Sequence, residues 1–205
     1  MMETHRLDIF KVKQFWEWFL ENCQNFGVDF DNTELLEELD EWIRRLGDFS
    51  WEVGPVNAKG NALVISPNGD ADLLDVTKEI IKNAKECVGW EYYYAKPVKE
   101  WGLIFDFETN EGDLVEVDAS KWEYVLLEYE DGLFEIIIKA SDLRQLDESD
   151  GQVAAEVLLD GVLGEEMRIQ TICAIDVVEE FDKEYREKAG NIKNLPEHVK
   201  ALIKQ

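Results

Sequence analysis

The hydrophobic residues of this chain change period near residue 50, and that change dictates the order in which structure can be built. Before it, apolar side chains recur every three or four positions; after it, alternation by two dominates, broken by single helical runs. Over 8–23, Val12, Phe15, Trp16, Phe19 and Leu20 form one helical stripe, with Asp8 placed as N-cap and Trp18 off the stripe. Over 33–46, Leu35, Leu36, Leu39, Trp42, Ile43 and Leu46 form a second, the acids fill the opposite face, and Gly47 offers a left-handed stop.

Residues 51–56 and 62–66 then read as strands, residues from Asp70 or Asp72 to 86 as a helix, and 90–95 as a strand ending before Pro97. Next come a short hairpin, 103–108 with 114–118, and a firmer one, 122–128 with 133–140, whose Asp131-Gly132 pair suits a tight primed turn. A helix over 149–163, a strand over 167–178, a helix over 179–188 and a short helix opened by Pro196 complete the chain. The succession strand, strand, helix, strand occurs twice, over 51–97 and 122–178. The expected class is therefore α+β: an N-terminal helical pair, then a mostly antiparallel sheet with helices on one face, in which two similar β-β-α-β halves join their strands. The expected organisation is one domain over 1–205, with sub-structure at 1–50, 51–100 and 101–205.

Charge decides which partners suit such a chain. It carries 46 acidic and 21 basic side chains, a formal balance of -25, so neither nucleic acid nor an anionic membrane is expected and a basic protein is. Seven Trp and ten Phe argue for a folded body beneath that charge. The acids concentrate: residues 101–150 hold 15 against 3 bases. Asp106, Glu108, Glu111, Asp113, Glu116 and Asp118 form the densest segment, and alternation puts its strand acids on the solvent face of a hairpin, opposite Phe105, Phe107, Val115 and Val117.

Each chemical reading competes with a plainer one. Asp106, Glu108 and Glu116 could ligate a divalent ion, yet an EF-hand loop counted from Asp106 needs glycine where Glu111 stands. Glu135, between Phe134 and Ile136, shares a face with Lys139, which makes a cross-strand ion pair the plainer account. His5 and His198 have no companions at zinc-ligand spacing, and Ser66-Pro67-Asn68-Gly69-Asp70 lacks the spacing of a phosphate loop. Cys23, Cys87 and Cys173 are far apart and sit in apolar contexts, which suits reduced core thiols. With no leader-like N-terminus and no apolar run of about 20 residues, a cytoplasmic location is expected. Trp18, if exposed, is the natural aromatic anchor for a partner.

At these residues the chain also resembles a group of uncharacterised bacterial proteins. The segments that carry the resemblance are Phe15-Trp16-Glu17-Trp18-Phe19 with Asn22, Leu63-Val64-Ile65-Ser66-Pro67-Asn68-Gly69-Asp70, Gly89-Trp90 with Ala95-Lys96-Pro97, and Leu158-Leu159-Asp160 with Leu163-Gly164-Glu165. The resemblance implies a bacterial origin and an α+β body behind a Phe-Trp-rich helix, and it carries over no functional residue. Some small acidic bacterial proteins of similar build neighbour toxin genes. The expected function is thus non-enzymatic binding of a basic protein, as an immunity or regulatory factor, without cofactor; the alternative is a carboxylate-based metal- or small-ligand-binding protein or enzyme.

Overall fold

The computed structural model describes residues 7–27, 29–57, 60–140, 143 and 146–204. The chain divides into two compact units, Met1–Lys96 and Pro97–Gln205. In the first, α1 (Ile9–Asn22) begins where Asp8 accepts hydrogen bonds from the Phe10 and Lys11 amides. The second helix, α2 (Thr33–Leu46), begins where Asn32 accepts from the Leu35 amide. Side-chain acceptors at these positions satisfy amides that have no partner inside the helix. Strands β1 (Ser50–Asn57) and β2 (Gly60–Ser66) pair antiparallel, helix α3 (Ala71–Lys82) starts from an Asp70 cap, and β3 (Trp90–Tyr93) returns parallel to β2.

Tryptophans organise the core of this unit. Trp16 is fully buried and donates its indole N–H to the Ile80 carbonyl of α3 at 2.9 Å, while Trp90 donates to the Cys23 carbonyl at 2.9 Å. Each ring thus buries a large apolar area without stranding its one polar atom. Phe15, Phe19, Phe26, Leu39, Ile43, Leu63 and Ile65 complete the packing, whereas Leu20, expected on the stripe, is 41% exposed. Gly47 is not the expected left-handed stop. Its backbone is extended, at φ 162°, and glycine is needed because a Cβ there would lie 2.6 Å from the Phe49 ring.

The second unit opens with the hairpin β4 (Ile104–Glu108) and β5 (Leu114–Asp118), then a 3-10 turn at Ala119–Lys121. Strands β6 (Glu123–Glu128) and β7 (Phe134–Lys139) form the next hairpin; helices α4 (Glu148–Leu163) and α5 (Glu165–Thr171) cross over to β8 (Ile172–Val178), which runs parallel to β7. The short β9 (Gly190–Asn191) pairs with the other side of β6, and α6 (Leu195–Ile203) closes the unit. Both β1-β2-α3-β3 and β6-β7-α4-α5-β8 are therefore an antiparallel hairpin followed by a helical crossover to a strand parallel with its second member.

Several expectations are corrected. Among the described residues the strands form three sheets, not one continuous sheet. Residues 167–171 are helical rather than extended, because Gly164, at φ 80°, restarts a helix that carries Arg168 back to Asp160. Residues 179–188 are not a helix: 179–182 are irregular and 183–188 are turn. A helix there would stack Glu180 over Glu184, and Phe181 instead packs on Val125 and Ile137. Residues 129–132 form no two-residue primed turn: the Gly132 amide donates to the Tyr129 carbonyl and only Gly132 is left-handed, at φ 82°. That is a turn closed by a glycine bulge.

The thiols are corrected too. Cys23 and Cys87 are buried, as core residues should be, but they are joined as a disulfide; Cys173 is free and exposed. It occupies the irregular step of the β7–β8 ladder, where Phe134 pairs with Ile172 and Glu135 with Ala174. The cross-strand ion pair expected of Glu135 is made on that face by Glu123 and Lys139 instead, while Glu135 accepts the Tyr129 hydroxyl. Lys139 sits opposite Glu123 in register, which gives that pair the shorter reach.

Candidate functional site

The acidic segment is placed by the pleat of β4 and β5. Phe105, Phe107 and Val117 point into the core, where Trp101 lies against Phe105 with ring centroids 5.3 Å apart. The outward phase then has no choice of side. Asp106, Glu108, Glu116 and Asp118 share the solvent face with Ile104 and Leu114, which are 52% and 73% exposed. In register, Ile104 opposes Asp118, Asp106 opposes Glu116, and Glu108 opposes Leu114. Two carboxylates in direct cross-strand opposition repel one another, so the fold gains nothing from the central pair.

The turn of this hairpin is held to the start of α4. Gly112 takes the left-handed conformation at φ 86°, and its amide donates to the Thr109 carbonyl at 2.9 Å. The Asn110 amide donates to Asp150 Oδ1 at 2.9 Å, and the Asn110 side chain donates to Ser149 Oγ at 2.7 Å. Between hairpin and helix runs a cleft of about 570 Å³, whose lining includes Glu111, Asp113, Glu116, Asp147 and Asp150. The last two are local helix chemistry: Asp147 caps α4 and accepts the Asp150 amide at 2.8 Å. Carboxylates at this end also complement the helix dipole.

Hydrogen bonds keep two of these acids ionised below the usual carboxylate range. The Asp118 carboxyl is lowered first by the Ser120 hydroxyl and then by the Ser120 amide. The Asp147 carboxyl is lowered first by the Asp150 amide and then by the Ser149 hydroxyl. Asp118 on the face and Asp147 in the cleft therefore keep their charge further into the acid range than ordinary aspartates. Among the described residues, no three His, Cys, Asp or Glu side chains are grouped so as to hold a metal ion.

Of the residues singled out in the sequence, Asp106, Glu108, Glu116 and Asp118 come together on the face, and Glu111, Asp113 and Glu116 line the cleft. Trp18 is not part of this site. It lies in the first unit, half-buried, donating to Glu38 Oε2 at 2.9 Å with its ring near Phe15 and Trp42. Its indole is used to pack α1 on α2. Sequence reasoning missed Asp147 and Asp150, although Asp147-x-x-Asp150 ahead of an apolar run is a readable helix start. Compared with known families, curated proteins and solved structures, the chain matches none. No helix among the described residues is long and apolar enough to cross a membrane.

Proposed function

We propose that this chain is a non-enzymatic binding protein whose second unit engages a basic protein, as an immunity or regulatory factor, through the β4–β5 face and the adjoining cleft. The observation that carries the reading is the direct opposition of Asp106 and Glu116. The acids at the start of α4 are accounted for by the helix they cap, whereas this pair opposes the stability of its own hairpin. A positively charged partner removes that repulsion on docking, and a concentrated anionic field accelerates encounter with it. The same field repels nucleic acid and anionic lipid.

The experiment is capture from the native host with the wild-type chain and with an Asp106→Lys/Glu116→Lys variant. A basic protein retained at low salt, released by raising ionic strength until screening is complete within about 3–4 Å, and absent with the variant supports the reading. Capture of the same set by both chains, or of no salt-sensitive basic protein, overturns it.

A further inference from the structure

We propose that the Cys23–Cys87 disulfide is a redox latch on the first unit, which closes residues 83–89 over the end of α1. Cys23 is the C-cap of α1, and Cys87 lies in the stretch without helix or strand that joins α3 to β3. The bond joins positions separated by 64 residues. What surrounds it shows why it matters to this stretch. Val88, next to Cys87, is 85% exposed, and the apolar anchorage of the connection comes from Ala84 and Cys87 alone. The connection also has polar ties: Gln24 donates to Cys87 Sγ at 3.2 Å and to the Val88 carbonyl at 2.9 Å, Tyr92 donates to the Lys85 carbonyl at 3.0 Å, Lys85 pairs with Glu17 at 3.2 Å across partly exposed side chains, and the Gly89 and Cys87 carbonyls accept the Asn61 and Trp90 amides at 2.8 and 3.1 Å. Ties of that kind are individually weak. Of the ties between the connection and the end of α1, the covalent bond is the strongest.

Opening the latch needs a dithiol reductant. One reductant thiolate attacks a protein sulfur, breaking the S–S bond, forming a mixed disulfide and releasing the other cysteine as a thiolate. The second reductant thiol then displaces the first cysteine; the reductant leaves as a disulfide, and the protein gains two electrons and two protons as two thiols. Cys23 and Cys87 are only 4% and 5% exposed, so attack waits on local opening of the connection. The closed form is therefore reduced no faster than that opening occurs. In the open form the stretch is free to leave α1, and the Lys85 peptide bond becomes a protease site.

The test uses the full chain purified without reductant. Thiol titration in denaturant is expected to find one thiol, Cys173, and all three cysteines after dithiothreitol. In native buffer, dithiothreitol is expected to speed tryptic cleavage after Lys85 by about tenfold or more in the wild type and in Cys173→Ala, since cleavage tracks the population of the opened segment. Cys23→Ser/Cys87→Ser is expected to be cut quickly with or without reductant; if it does not fold, the wild-type comparison decides alone. Three thiols before reduction, or a cleavage rate at Lys85 indifferent to reductant, overturns the proposal.

Discussion

Arg168→Met should be among the most damaging single substitutions in the second unit. The Arg168 guanidinium of α5 meets the Asp160 carboxylate of α4, and the two side chains are only 10% and 6% exposed. Methionine fills much of the same space, so little packing is lost, but Asp160 is left without its guanidinium where water hardly reaches. Breaking a buried pair from one side costs about 3–5 kcal/mol, because the remaining charge loses its close counter-ion. For a unit of this size, each kcal/mol moves the melting temperature by about 4–8 °C, so a fall of more than about 10 °C is expected. Removing both charges, with Asp160→Leu and Arg168→Met together, should return stability to within about 1–2 kcal/mol of wild type. Denaturant unfolding of the four chains gives the coupling energy, with the slope checked for constancy. A single variant costing less than about 1 kcal/mol, or a double variant no better than the worse single, would refute the claim that this pair ties α5 to α4.

Three further outcomes follow from particular contacts. Gly161→Ala places a Cβ 2.1 Å from Trp101 Cζ2, so the ring must shift; a loss of about 1–3 kcal/mol and an altered Trp101 emission are expected, and an unchanged melting curve would refute the contact. Burial pushes the Tyr92 hydroxyl from 10.0 up to about 12. Its neutral form is favoured by folding, so that contribution is present below pH 10 and is lost as the pH rises through about 12; Tyr92→Phe should flatten this part of the alkaline stability curve. Melting curves in Ca²⁺, Mg²⁺ and Mn²⁺ should superimpose on the metal-free curve, and a metal-dependent rise would favour carboxylate-based ligand binding instead.

The sequence was most legible where a period and a cap agreed. Asp8 and Asp70 mark the starts of α1 and α3 as their side chains suggest, and the strands of both hairpins fall within about a residue of their alternation. The inward phase of Phe105, Phe107 and Val117 also fixes which acids share a face. What failed to show was decided by distant partners. Nothing local in Met167-Arg168-Ile169 distinguishes a strand from a helix that must bring Arg168 to Asp160. The spacing of Cys23 and Cys87 says nothing of their meeting, because α1 and the α3–β3 connection converge through tertiary packing, around Trp90 above all. Trp18 looked available because periodicity describes one helix at a time, and its companion Trp42 belongs to the next.

The repeated hairpin-and-crossover plan leaves each unit with strand borders that could recruit foreign chains, and the two units blunt them differently. β1 borders its sheet and carries Pro55, which has no amide to offer, beside a register irregularity between Pro55 and Asn57. β3, at the other border, is only four residues long. In the second unit β9 shields one side of β6, and β8, at the opposite border, is interrupted at Cys173 and bears the exposed Asp176. Proline, brevity, a bulge and a carboxylate are each a known defence against edge-to-edge aggregation. A chain built twice on one plan carries its self-association risk twice, and each unit meets it with interruptions of its own.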